Sequence, residues 1–139
     1  MAVEQYLIDT SALMRMGNPV VGSVWRSKVG FGVVRICEAT EIEYLYSSQS
    51  RSEYEQQQDE LDEFYPRQSM PDRVWERACE VQYELAKRSC LRSAGPIDLL
   101  VAATAELAGL TVLHYDADFD TVAKVTGQPT RWILPAGTV

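Results

Sequence analysis

Short apolar runs alternate with helical stretches along this chain, and that alternation restricts the folds open to it. The runs Tyr6-Leu7-Ile8, residues 33–37, Phe64-Tyr65, Thr111-Val112-Leu113-His114 and residues 131–134 are too brief for core helices and read as strands. Helical spacing covers much of the rest. Residues 10–16 form a short helix stopped by Gly17 and Asn18-Pro19, and residues 20–29 form another. Residues 38–49 carry Ile42, Leu45 and Tyr46 on one face. Residues 50–62 are polar, anchored by Tyr54 and Leu61, and read as a solvated helix or an arm. Val74, Ala78, Val81 and Leu85 stripe a helix over 72–88, with Asp72 as its N-cap. Pro96 suits a helix start and Gly109 its end, and residues 119–125 form a last short helix. The expected architecture is α/β: three layers, with helices on both faces of a central parallel sheet of about four to five strands.

At 139 residues with 46% hydrophobic content, the chain suits one domain, 1–139, with a core of its own. No run approaches the length of a membrane span, and the first residues lack a signal-peptide pattern. Cys37, Cys79 and Cys90 are odd in number and widely spaced, which points to a reducing cytoplasm rather than a disulfide framework. The net charge of −7 speaks mildly against a nucleic-acid binder. A carboxylate cluster built to hold a divalent cation would account for part of that charge.

The acidic residues fall where such a cluster would need them. Asp9 ends the first apolar run, and Asp116 and Asp118 follow the run that ends at His114. Asp98 follows Pro96-Ile97 at a helix start, and Glu43 lies one turn into the helix after the second strand. In an open parallel sheet, ligands bind beyond the carboxyl ends of the strands. That topology can gather all five at one sheet edge. The aspartates also have ordinary structural readings: Asp9 as a helix cap, Asp98 as a first-turn acid, and Asp116 and Asp118, with Asp120, as a solvated turn. For Asp120 the solvated turn is preferred. With one histidine in the chain, a metal site here would be mostly oxygen, which suits Mg²⁺ or Mn²⁺ and not zinc.

Four segments in order resemble the motifs of PIN-domain ribonucleases: Ile8-Asp9-Thr10-Ser11-Ala12-Leu13, residues 39–47 around Glu41 and Glu43, residues 96–105 around Asp98, and residues 113–120 around Asp116 and Asp118. The resemblance spans nearly the whole chain and is nearest to VapC-type toxins of VapBC toxin–antitoxin pairs. It implies a PIN-like fold and a Mg²⁺-dependent endoribonuclease, with Mn²⁺ as a substitute, acting on cellular RNA such as tRNA or rRNA. It also implies a VapB-type antitoxin partner and a homodimer. Position by position, it makes Asp9, Asp98 and Asp116 metal carboxylates, with Asp118 as an auxiliary. Glu43 precedes Tyr44-Leu45 as the family's glutamate precedes its apolar pair, and is preferred for the second acidic position. Glu41 is the alternative, and periodicity does not separate the two.

One or two Mg²⁺ ions held by carboxylates can activate a water and neutralise charge on a phosphodiester. Ser11 could contact a metal-bound water or a phosphate, or simply start a helix. Arg15, Arg88 and Arg92 are candidate RNA contacts, and solvated surface positions are an equal reading. Trp25, Trp75 and Trp132 default to core packing. His114 reads as a strand residue, and no serine-hydrolase elbow surrounds Ser11. Two other readings stand beside the nuclease. A phosphoacceptor signalling domain would want a second carboxylate beside Asp9, where Leu7, Ile8, Thr10 and Ser11 stand instead. A catalytically inactive PIN-like binding module would not need all four acidic motifs.

Overall fold

The computed structural model, which describes residues 3–139, has a parallel four-stranded sheet in the order β2-β1-β3-β4. The strands are β1 (Tyr6–Ile8), β2 (Val34–Arg35), β3 (Thr111–His114) and β4 (Thr130–Trp132). Between β1 and β2 run α1 (Thr10–Leu13) and α2 (Pro19–Gly30). Between β2 and β3 come α3 (Glu38–Tyr46), α4 (Arg51–Phe64), α5 (Val74–Lys87), a 3₁₀ turn at Leu91–Ser93 and α6 (Pro96–Ala108). The helix α7 (Asp118–Thr126) joins β3 to β4.

Side chains alternate across the sheet, so each strand feeds both faces. Leu7 and Val112, paired in register, pack with α5, α6 and α7 through Val81, Leu85, Val101 and Phe119. Their neighbours Tyr6, Ile8 and Leu113 face the opposite layer, with Val21, Trp25, Leu45 and Leu61. Trp25 is fully buried, and its indole N–H is satisfied by the carbonyl of Ile133 at 2.7 Å. Burying each large apolar side chain in these two cores contributes about 1.5–3 kcal/mol. Among the described residues, no helix is long and apolar enough to cross a membrane.

Several expectations are corrected. Phe64-Tyr65 is not a strand: Phe64 ends α4, and Tyr65 caps it by donating its backbone N–H to the carbonyl of Leu61 at 3.0 Å. Leu61 and Tyr65 are buried and anchor the last turn of a largely polar helix, while Phe64 is exposed; Ser50 caps the helix at its start. The second strand is only Val34–Arg35, and Ile36 instead makes an isolated parallel bridge to Arg67. Asp72 does not cap α5; Arg73 holds that position and makes no side-chain cap bond. The helix α1 ends at Leu13 and the last strand begins at Thr130, while α7 already begins at Asp118. Trp75 is exposed, outside either core.

Candidate metal centre

Asp9 is the first residue beyond β1, in extended conformation at the N-cap of α1. Its Oδ2 accepts the backbone N–H of Ser11 at 3.0 Å and the Ser11 hydroxyl at 2.6 Å. Capping and site chemistry therefore share one side chain, because the other oxygen is left over. Asp9 Oδ1 is buried and has no hydrogen-bond partner among the described residues. Burial pushes the Asp9 carboxyl above its ordinary range, opposed by the two Ser11 bonds and reinforced by the nearby Glu43 charge. A buried carboxylate oxygen without a donor is costly unless something cationic meets it.

Three elements bring further carboxylates to that oxygen. Thr40, buried on α3, donates its hydroxyl to the carbonyl of Ile8 at 3.0 Å, which fixes α3 against the end of β1. Glu43 follows Thr40 by three residues and so shares its face of the helix. Asp98 sits in the first turn of α6, where its Oδ2 accepts the N–H of Gly95 at 3.3 Å. Asp116 lies in the turn after β3, and its Oδ1 accepts the N–H of Asp118 at 2.9 Å.

The outcome is two triads that share one residue. Asp9, Glu43 and Asp98 offer oxygens all within 4.8 Å of one another, and so do Asp98, Asp116 and Asp118. Asp98 feels both: burial first, then the charge of Asp9, then those of Asp116 and Glu43, push its carboxyl up to about 7 against the Gly95 bond. Asp118 is raised as well, by burial and then by Asp116. Like charges so close call for a cation. The bare Asp9 oxygen and the all-oxygen donor set fit a divalent metal, which Asp9, Glu43, Asp98, Asp116 and Asp118 would hold.

Glu41 does not join the cluster. Its Oε2 meets Arg67 Nε at 3.0 Å, and its Oε1 accepts from Arg67 Nη2 at 3.1 Å and from Gln58 at 2.6 Å. Asp120 turns away too, accepting the indole N–H of Trp132 at 3.2 Å. Ser11 is a brace: while it donates to Asp9, its Oγ accepts the N–H of Tyr115 at 2.9 Å, tying α1 to the end of β3. Arg15 stands close by. It donates to the carbonyl of Ser11 at 2.7 Å, and its guanidinium lies 4.2 Å over the Tyr115 ring. Arg92 is exposed on the 3₁₀ turn ahead of Asp98. Arg88 is remote: it reaches the carbonyl of Lys124, at the opposite end of α7 from Asp118.

Sequence reasoning gives His114 no part in the site. It is fully buried in β3, and its Nδ1 accepts the N–H of Asp116 at 3.1 Å. Burial drives its pKa down to about 4, against the pull of Asp120 and Asp116, so the ring is neutral. The one signal in the sequence is its position, two residues before an acid at the end of a strand.

A family model described as the PIN domain matches residues 6–125. The chain belongs to the PIN-domain family. It is 41% identical over 136 residues to ribonuclease VapC18 of Mycobacterium tuberculosis, covering 96% of this chain and 98% of that one. It is 41% identical over 135 residues to ribonuclease VapC51 of the same organism, covering 97% of each. The PIN fold is also that of a DNA-bound VapBC structure from Salmonella typhimurium, with a TM-score of 0.77 at 15% identity over 95% of this chain and 100% of that one.

Proposed function

We propose that this PIN-domain chain is a Mg²⁺-dependent endoribonuclease and the toxin of a toxin–antitoxin pair, with residues 1–139 acting as one nuclease unit. The observation that carries the reading is Asp9 Oδ1, a buried carboxylate oxygen with no protein partner, set beside Glu43 and Asp98. Asp9, Glu43, Asp98, Asp116 and Asp118 would hold the metal, and their oxygens suit Mg²⁺, with Mn²⁺ as a substitute. A bound divalent ion lowers the pKa of a water and neutralises charge on the phosphate. Asp98 joins the two triads and keeps their oxygens in one register. Glu43, only partly buried on α3, is free to orient or deprotonate the attacking water.

Arg15 has no carboxylate partner among the described residues, and its guanidinium is held over the Tyr115 ring. It is the best-situated cation to meet an RNA phosphate, with Arg92 next and Arg88 last. Ser11 acts by keeping Asp9 and the Tyr115 backbone in place. The relatives named as VapC ribonucleases support RNA as the substrate; cellular RNA such as tRNA or rRNA is the class proposed. The VapBC structures of like fold support a VapB-type antitoxin as partner, and the homodimer stays an expectation of the family resemblance. The free Cys37, Cys79 and Cys90 suit a reducing cytoplasm.

The test is RNA cleavage by the purified chain. Mg²⁺ should support it, chelation should stop it, and Asp9→Asn should slow it by about a hundredfold or more, the equivalent of about 3 kcal/mol of lost transition-state stabilisation. Cleavage by Asp9→Asn at the wild-type rate would overturn the reading.

A further inference from the structure

His114 has an arrangement that packing alone does not explain. Its ring is wedged between Phe119 and Trp132, with ring centroids 5.1 Å and 5.0 Å away. Its Nε2 is buried and has no partner among the described residues. A leucine or phenylalanine would fill such a space without stranding a polar nitrogen, and a stranded donor in a core costs free energy. What distinguishes histidine here is the other nitrogen. Nδ1 accepts the Asp116 amide, so it carries no proton and the ring hydrogen resides on Nε2.

That bond lies at the head of a relay into the metal centre. The Asp116 amide is held by His114, and the Asp116 carboxylate in turn accepts the amide of Asp118 at 2.9 Å. One residue upstream, the Tyr115 amide is held by Ser11, which also holds Asp9. Successive amides beyond β3 are thus pinned from two sides, one brace serving each triad.

We propose that His114 is a positioning residue: its unprotonated Nδ1, by fixing the Asp116 amide, aims the Asp116 and Asp118 carboxylates at their shared cation. The inference rests on the reading that these carboxylates bind a divalent metal. It assigns His114 no contact with metal or RNA. Residues that orient a ligand from behind it change metal affinity by about 10–100-fold when removed.

The experiment titrates Mn²⁺ alone into the full-length protein, by calorimetry, with wild type, His114→Leu and His114→Asn. Asparagine returns an acceptor oxygen near the place of Nδ1; leucine fills the space without one. His114→Leu should weaken Mn²⁺ binding by about tenfold or more, and His114→Asn should recover most of it. A merely structural role predicts the reverse, with leucine tolerated and asparagine the worse tenant of an apolar pocket. Wild-type affinity in His114→Leu, or equal loss in both variants, overturns the proposal. Nitrogen NMR of the wild-type protein decides the matter if neither variant folds. An unprotonated Nδ1 coupled across a hydrogen bond to the Asp116 amide supports the proposal, and a protonated Nδ1 ends it. Failure of the wild type to bind Mn²⁺ would instead overturn the metal reading, and the proposal with it.

Discussion

Glu41 and Glu43 lie two residues apart on one helix and meet opposite fates. Glu41 is neutralised: Arg67 grips both of its oxygens, and Arg67 also binds Asp62 at 2.6 Å. The same pattern recurs where Arg77 makes two bonds to Glu106, at 2.6 and 3.1 Å. Glu43 makes no ion pair among the described residues and clusters with other acids, Asp9 and Asp98. The comparison separates acids that hold the fold together from acids that wait for a ligand. A paired acid ties two elements and has its charge answered. In the unpaired cluster, burial and then neighbouring like charge raise the pKa values of Asp9, Asp98 and Asp118, which costs stability, as binding sites commonly do.

The largest expected effect breaks this comparison directly. Glu43→Gln should lower RNA cleavage by about tenfold to a hundredfold, the range for losing a positioned base or metal contact, whereas Glu41→Gln should leave it near wild type. Single-turnover rates at saturating Mg²⁺ check this. Equal losses would dissolve the distinction between the two glutamates.

Next in size is the pH response of the metal-free protein. Asp98 rises from its ordinary 3.8 to about 7 in the folded state, so the folded protein holds that proton more tightly than the unfolded chain. Stability in chelator should therefore be fully present below about pH 4 as far as this group is concerned, and should fall as pH rises to about 7. Thermal melts across that window should show the decline, and Asp98→Asn should flatten it and raise the melting temperature at the upper end. A metal-free protein that gains stability over the same window would contradict a raised Asp98, whether by burial or by its neighbours' charge.

The smallest effect concerns the paired side. Arg67→Ala should destabilise the fold by about 1–2 kcal/mol, since it frees Glu41 and also removes donors to the carbonyls of Leu61 and Tyr65. Cleavage per folded molecule should not change. Chemical denaturation alongside an activity assay measures both.

Much of this division is legible in the amino-acid sequence. The apolar runs ending at Asp9 and before Asp116 mark the sheet edge, and the helix start at Pro96 marks Asp98. What separates Glu41 from Glu43 is not legible there, because it depends on Arg67, far along the chain and brought over by the bridge to Ile36. Phe64-Tyr65 misleads because an apolar pair can end a helix as readily as make a strand, and the polar helix leading to it has little apolar stripe to declare itself. His114 is hidden for another reason. Its role lies in one ring nitrogen accepting a backbone amide, and hydropathy patterns carry no trace of that bond. The two readings of Asp9, cap and site residue, are compatible, since a carboxylate has two oxygens and the cap uses one.

The most direct test of the shared centre is a Mn²⁺ titration of the wild-type protein against Asp98→Asn, the residue common to both triads. The wild type should bind Mn²⁺ saturably and melt at higher temperature when loaded, while Asp98→Asn, folded and more stable in chelator, should lose both responses. Equal Mn²⁺ binding by the two proteins would contradict a metal centre built around Asp98.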